Sequence, residues 1–499
     1  MNCLELESIN VSLFNTSKVT RMDNMFNGCS KLIIIDISNF DLENVVNTSS
    51  MFAGCIDLSE IKFKNNTLTK NLKFMNYMFY NCYSLEYINT KIFQVNKVID
   101  LSYTFANCYQ LQELDLKHFK TDNLLYLSNT FYECANLKTL DFSNFDTSKV
   151  ERMDYMFSTC GDLTIIDISS FNLENVIDLS YMFQDCYNLN EIIFNESTST
   201  KNLLIMEGMF EGCKSLKYFN TTIFRENNLI DLNYVFNKCY SLERINLSNF
   251  ETKNIMNLTY TFSNCINLEE IDLSPFSKSK ILALIGIFSG CEKLKSLDLS
   301  FLKGLNEITD APNLFSNCTS LTSVDISSFS DLTDAYSMFS NCTSLKNIIF
   351  PRMMYLIFNT EEMFANCFSL TSLNLNFLEN SIQWKNASKM LINCIGLTEI
   401  IFPTIYANLL NLTDYMFSGC TELTSINLEG LYSGSIQDMS FMFENCENLK
   451  YLNIYNLDTR DVLVFTNIFD GIKNKIEIIY NENKTNHTLK DEIEKRRIK

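Results

Sequence analysis

Cysteine recurs along this chain on a single ladder, and that period limits the possible folds more than any other feature. The eighteen cysteines are Cys3, Cys29, Cys55, Cys82, Cys108, Cys134, Cys160, Cys186, Cys213, Cys239, Cys265, Cys291, Cys318, Cys342, Cys367, Cys394, Cys420 and Cys446, mostly 26 residues apart with none left over. Leu stands three residues after every one of them. The unit is clearest between Cys134 and Cys160, CANLKTLDFSNFDTSKVERMDYMFSTC. It carries an apolar-Asp-apolar triplet at positions six to eight after the Cys, Phe at eleven, Val at sixteen, Met at nineteen, and Met-Phe shortly before the next Cys. A unit copied end to end can bury its apolar face only against its neighbours, so the chain is predicted to be a solenoid. The size rule that would split 499 residues into about three domains then does not apply.

The local pattern fills in the coil. Alternation across positions six to eight reads as a short strand with six and eight turned inward and seven outward. The Val-Met spacing of Val150 and Met153 suggests a second extended segment, and the Met-Phe pair suggests one helical turn pressing inward. Phe precedes the Cys by three residues in 16 copies, with Leu391 as the exception, which reads as an aromatic spine. The predicted fold is an α/β repeat, a leucine-rich-repeat-like solenoid with one continuous parallel sheet and short helical turns, about 18 coils of about 26 residues. The solenoid is assigned to residues 1–480 and a polar, basic tail or short capping helix to 481–499, with Ile476 to Tyr480 as a closing strand.

Each Cys occupies an apolar position in the repeat, and Ile472 replaces it in the nineteenth copy, so the thiols are predicted to be reduced and buried; pairing between neighbouring coils, which stacking at about 5 Å permits, is the alternative. No CxxC accompanies the ladder and the chain has only His118 and His487, so neither a metal site nor a cofactor is predicted. No nucleophile–His pairing or Gly-rich phosphate loop is present among 13 glycines, and the chain is read as non-catalytic. A formal charge of −19 excludes a phosphate-backbone reader, because that affinity rests on clustered Lys and Arg. No run approaches the roughly 20 apolar residues that span a bilayer.

Position seven is the informative outward column. It is Asp or Asn in 14 of 18 copies, interrupted by Lys62, Ile193, Ile349 and Ile401. The candidate binding face comprises Asp36, Asn89, Asp115, Asp141, Asp167, Asn220, Asn246, Asp272, Asp298 and Asp325, with Tyr87, Tyr218 and Tyr451 at flanking outward positions. Asp115, Asp141 and Asp167 would stand about 5 Å apart, where like charges disfavour joint ionisation. Polar and aromatic groups repeated on a rigid face suit a protein or glycan ligand; a solvated face of amide and carboxyl ladders is the alternative.

The string LxxLDLSxFDTSxVxxMxxMFxxC, nearly intact at Leu137 to Cys160 and recognisable at Leu32 to Cys55 and Leu163 to Cys186, resembles the BspA-like leucine-rich-repeat surface proteins of bacteria and protists. The resemblance covers roughly residues 1 to 480 and implies a leucine-rich-repeat-like fold. It also implies a cell-surface or secreted location and adhesion to host or neighbouring-cell proteins. The family's usual export signal and anchor are not read in this sequence, so an intracellular protein-interaction scaffold is the alternative; oligomeric state is not legible. Two further features are local. Motifs return after 131 residues, as Thr16-Ser17-Lys18-Val19 does at Thr147-Ser148-Lys149-Val150, which marks a duplicated block of five units. Between about 275 and 403 the register loosens around Pro275, Pro312, Pro351, Pro403, Trp384 and Leu391, which reads as a bend, a local surface or simple drift.

Overall fold

The computed structural model describes residues 3–64, 69–93, 97–304, 308–329, 331–434 and 436–498. The chain forms two compact units, Met1–Asn254 and Ile255–Lys499, each built from parallel coils. In the first, Ile34–Ile37 pairs with Glu60–Phe63, Glu113–Leu114 with Thr139–Leu140, and Ile165–Ile168 with Glu191–Phe194. In the second, Ser323–Asp325 pairs with Asn347–Ile349 and Ser372–Asn374 with Glu399–Ile401, while Ser425–Asn427, Tyr451–Asn453 and Glu477–Ile479 form a three-stranded sheet. All are parallel, and all fall on the predicted triplet. Ile35 and Ile37 are buried around exposed Asp36, and Ile166 and Ile168 around exposed Asp167, as period-two alternation requires.

A second parallel ladder of single bridges runs through Arg21, Asn47, Phe74, Asp100, Tyr126, Arg152, Asp178, Ile205 and Asp231 in the first unit. Val150 and Met153 flank Arg152 with both side chains buried, so the second extended segment lies where the Val-Met spacing placed it. The corner between the two ladders explains the Phe-Asp-Thr-Ser motif. The hydroxyl of Thr147 donates to the Asn172 carbonyl of the next coil at 3.0 Å and accepts the Asn172 N–H at 2.7 Å. Thr121 does the same for Asp146.

The segment before each Cys departs from the expected helical turn. In the coil that ends at Cys134, Leu127, Asn129, Phe131 and Glu133 donate their N–H groups to the carbonyls of Arg152, Asp154, Met156 and Ser158 in the following coil, at 2.8 to 3.1 Å. The intervening Thr130, Tyr132 and Cys134 donate three residues back within their own coil. A helix would direct all of these donors along its own axis and leave the neighbouring carbonyls bare. The alternation instead places residues five and one before the Cys in the left-handed region: Asn129 (φ 59°), Glu133 (φ 56°), Tyr155 (φ 55°) and Thr159 (φ 62°). Such angles are costly for a side chain as large as Tyr. They persist because Tyr155 N–H is held by the Ser180 carbonyl at 2.9 Å. Short helical turns do occur, after the strand, as the 3-10 helices Thr90–Ile92, Thr221–Phe224, Ser274–Lys278, Ser300–Gly304 and Asn376–Leu378.

The aromatic spine is continuous within each unit's described coils up to its substitutions. Phe105, Phe131, Phe157 and Phe183 stack with centroids 5.4 to 5.6 Å apart and planes within 8°. Beside it run the thiols, which are free, buried except for Cys3, and engaged. Cys160 Sγ donates to the Phe131 carbonyl at 3.1 Å, and that oxygen also accepts the Cys134 N–H. The same bond recurs at Cys55, Cys82, Cys108, Cys134 and Cys186. Cys thus offers what an aliphatic residue cannot, a weak donor at a buried carbonyl that has a second lone pair to fill. In the irregular stretch Trp384 is fully buried with its indole N–H on Thr360 Oγ1 at 2.9 Å, and the bridges Asp310–Asp334–Asn359–Asn386 run on without a break. At the C-terminal end the helix His487–Arg496 buries Leu489 and Ile493, and Ile476 bridges Arg497.

Two outcomes follow from this core. Phe157→Ala should lower unfolding free energy by about 3–5 kcal/mol in urea titrations, since it opens a cavity between stacked rings. In the native protein only Cys3 should react promptly with a thiol reagent such as Ellman's, and all 18 cysteines should react in denaturant. Burial holds the Cys134 and Cys160 thiols protonated, with Cys134 pushed up to about 12, so raising the pH to 9 should leave the native count unchanged.

Candidate binding face

The position-seven column is outward, and the structure gives it a backbone role. In all fourteen copies with Asp or Asn there, a side-chain oxygen accepts the backbone N–H two residues on, at 2.8 to 3.3 Å. The column is a series of Asx turns that carry the chain off the strand and into the corner. Asp36, Asp141, Asp167, Asp272, Asp298 and Asp325 each hold the N–H of a Ser, at residues 38, 143, 169, 274, 300 and 327. Asn89 and Asn220 cap 3-10 helices through Lys91 and Thr222, and Asp115 and Asn246 hold Lys117 and Ser248. The Asp-x-Ser spacing was the sequence signal for this role.

The four copies without Asp or Asn confirm the logic. Lys62, Ile193, Ile349 and Ile401 cannot accept an N–H in this way, and each is followed by Phe (Phe63, Phe194, Phe350, Phe402). Ile349 and Ile401 are exposed on the outward side, and Phe194, Phe350 and Phe402 are only partly buried. Asn453 departs from the outward expectation in another way: it makes its Asx turn to Tyr455 but is itself buried, covered where the chain closes against the last strand.

At Asp141 the electrostatics run against the expectation of suppressed ionisation. Hydrogen bonds from the hydroxyl and backbone N–H of Ser143 hold the Asp141 carboxyl below the usual carboxylate range, with Lys117 3.6 Å away adding to the effect. The Ser two residues on has the same effect on Asp36, Asp298 and Asp325. At these four positions donors from the turn wrap the carboxylate, and local hydrogen bonding outweighs repulsion through solvent between coils.

The tyrosines stand apart from this bonding. Tyr87 is 68% exposed and Tyr218 is 61% exposed, the latter donating its hydroxyl to Glu243 at 2.9 Å. They lie five coils apart, roughly 24 Å along the ladder, so the two do not converge on one small ligand. Tyr451 is half-buried on its strand in the second unit. The sequence reading overlooked a further aromatic column, on the left-handed turns. Tyr77 stacks on Tyr103 at 4.6 Å and Tyr155 on Tyr181 at 4.9 Å. The second stack ends at Gly208, where any Cβ would lie 2.2 Å from the Tyr181 ring. Among the described residues no group of three or more His, Cys, Asp or Glu converges as metal ligands would, and no helix is long and apolar enough to cross a membrane.

Asp141→Ala should cost at most about 1 kcal/mol at neutral pH, and Asp141→Asn distinctly less, because Asn retains the Asx acceptor. The Asp141 pKa is depressed in the folded state, so its contribution is present above the unfolded value of 3.8 and fades as pH falls through the folded one. Asp141→Asn should therefore flatten the acid limb of stability against pH below 4, measured by denaturation at fixed salt.

The model for the family described as Mycoplasma protein of unknown function, DUF285, matches residues 1–114, 99–224 and 204–329, together 329 of 499 residues. The model described as BspA type Leucine rich repeat region matches 284–387 and 386–487. No curated protein sequence matches the chain. Among solved structures, a leucine-rich repeat protein from Bacteroides ovatus is 19% identical, covers 84% of this chain and 91% of its own, and has a TM-score of 0.46. A leucine rich cell surface protein from Faecalibacterium prausnitzii is 19% identical, covers 66% and 83%, and has a TM-score of 0.39. The chain belongs to the DUF285 family and continues, over residues 284–487, as a leucine-rich repeat region of the BspA type.

Proposed function

We propose that the protein is a non-catalytic binding protein displayed at the cell surface, where it serves adhesion or protein recognition through the outward side of its strand ladder. Leucine-rich repeat proteins generally work as interaction scaffolds, and this chain has the rigidity that many weak contacts require. The observation that carries the reading is the exposure of Tyr87 and Tyr218 at the register place where other coils begin their strands, and there a large amphipathic ring gains nothing from the core. Apart from buried Asn453, each Asx turn occupies one side-chain oxygen and leaves the rest of the Asp or Asn head outward as a polar surround. The ligand is a protein or a glycan, read across several coils.

A specific observation favours a second reading. Eighteen unpaired thiols suit a reducing compartment, and an intracellular scaffold would use the same face. Protease shaving of intact source cells separates the two: repeat peptides released without a cytosolic marker support display, and release only on lysis would replace display with the scaffold. On the displayed protein, Tyr87→Ala and Tyr218→Ala should each weaken attachment to the recognised surface by about tenfold while leaving the melting temperature unchanged. Full retention of binding in the double variant would remove the strand face from the reading.

A further inference from the structure

The hydrogen-bond ladder that joins coil to coil is left open at one edge, in the turn formed by residues 465–471. In the coil before it, Met439, Phe441, Phe443 and Asn445 donate to the carbonyls of Val464, Thr466, Ile468 and Asp470 at 2.8 to 3.0 Å. The equivalent donors one coil on are the N–H groups of Phe465, Asn467, Phe469 and Gly471. The first three find no acceptor among the described residues, and Gly471 donates to the side chain of Asp470 at 3.0 Å. The C-terminal helix closes the strand side of this coil, where Ile476 N–H meets the Arg496 carbonyl, and Ile468 and Phe469 are covered, but the backbone donors of Phe465, Asn467 and Phe469 stay unmatched among the described residues. Between helix and turn lies a pocket of about 280 Å³ lined by Phe465, Asn467, Phe469, Asp470, Glu492 and Arg496. A row of aligned main-chain donors at an open edge is a template for an added chain segment.

The interior coils show what fits. Carbonyls on alternate residues of the next turn receive these donors, as Arg152, Asp154 and Met156 receive Leu127, Asn129 and Phe131 at 2.9 to 3.1 Å. Charge adds a second requirement. Glu211, two residues before its Cys, takes the Lys238 ammonium of the following coil at 3.1 Å. Asp470 stands at the same place in the open turn and has no ion pair among the described residues. The inward place is already filled, since Phe469 is 4% exposed, so an incoming residue at the Phe position must be small.

We propose that this edge is a docking site for a peptide segment of a partner protein that adds one rung to the turn ladder: three carbonyls on alternate residues, a small residue facing inward, and a Lys that reaches Asp470. It lies away from the strand face and does not depend on the role given to Tyr87 and Tyr218. The probe is a synthetic peptide of residues 231–238 carrying Phe236→Ala, added to the full-length protein. Amide hydrogen exchange of Phe465, Asn467 and Phe469 should slow roughly tenfold at free peptide about ten times its Kd, with interior turn amides unchanged. The parent peptide, with Phe at 236, should bind more weakly. Asp470→Lys should weaken binding by about fivefold or more, and a peptide with Lys238→Glu should restore it. Unchanged exchange of the three amides at millimolar peptide would overturn the proposal. So would amides already protected in the protein alone, which would mean that the edge is filled from within the molecule.

Discussion

Every coil must supply carbonyls to the N–H groups of the coil before it, and the rest of the architecture depends on meeting that demand in register. Within each unit, two runs of bonds do so: the short strands with their companion bridges, and the turn segment that alternates donation across coils with donation three residues back. A slip of one residue would turn Ile166 and Ile168 outward and Asp167 inward. The left-handed residues belong to the same demand. Tyr155 and Thr159 hold unusual backbone angles because the next coil has a carbonyl waiting for each of their N–H groups.

The side chains that repeat most faithfully are those that service this backbone. Cys fills a place where a small apolar group is needed and where a carbonyl can accept one more donor. Thr147 closes the corner through its hydroxyl, and the position-seven Asp or Asn turns the chain by holding an N–H two residues on. A repeated outward carboxylate therefore need not announce a ligand; its first duty is the turn. Among the described residues, exposed Tyr87 makes no such backbone bond.

Much of this was legible before any coordinates. The Cys period, the Leu at three, the alternation at six to eight and the Phe spine gave the solenoid, the strand and the core, because stacking identical units forces identical burial. The helical turn was misread because Met-Phe spacing fits any inward-pressing segment, and periodicity over six residues cannot separate a helix from alternating turns. The Asx turns of the position-seven column went unread, although Asp-x-Ser at residues 36, 141, 167 and 298 carried the signal.

The sequence by itself determined the repeat, the inward residues and the burial of the cysteine ladder, since each follows from composition at a fixed period. Only the tertiary structure decided where the backbone donors go. Hydrogen bonds between coils join residues about 26 apart, so the left-handed turns, the second lone pair taken by Cys Sγ and the open donors at Phe465, Asn467 and Phe469 exist only once neighbouring coils stand side by side.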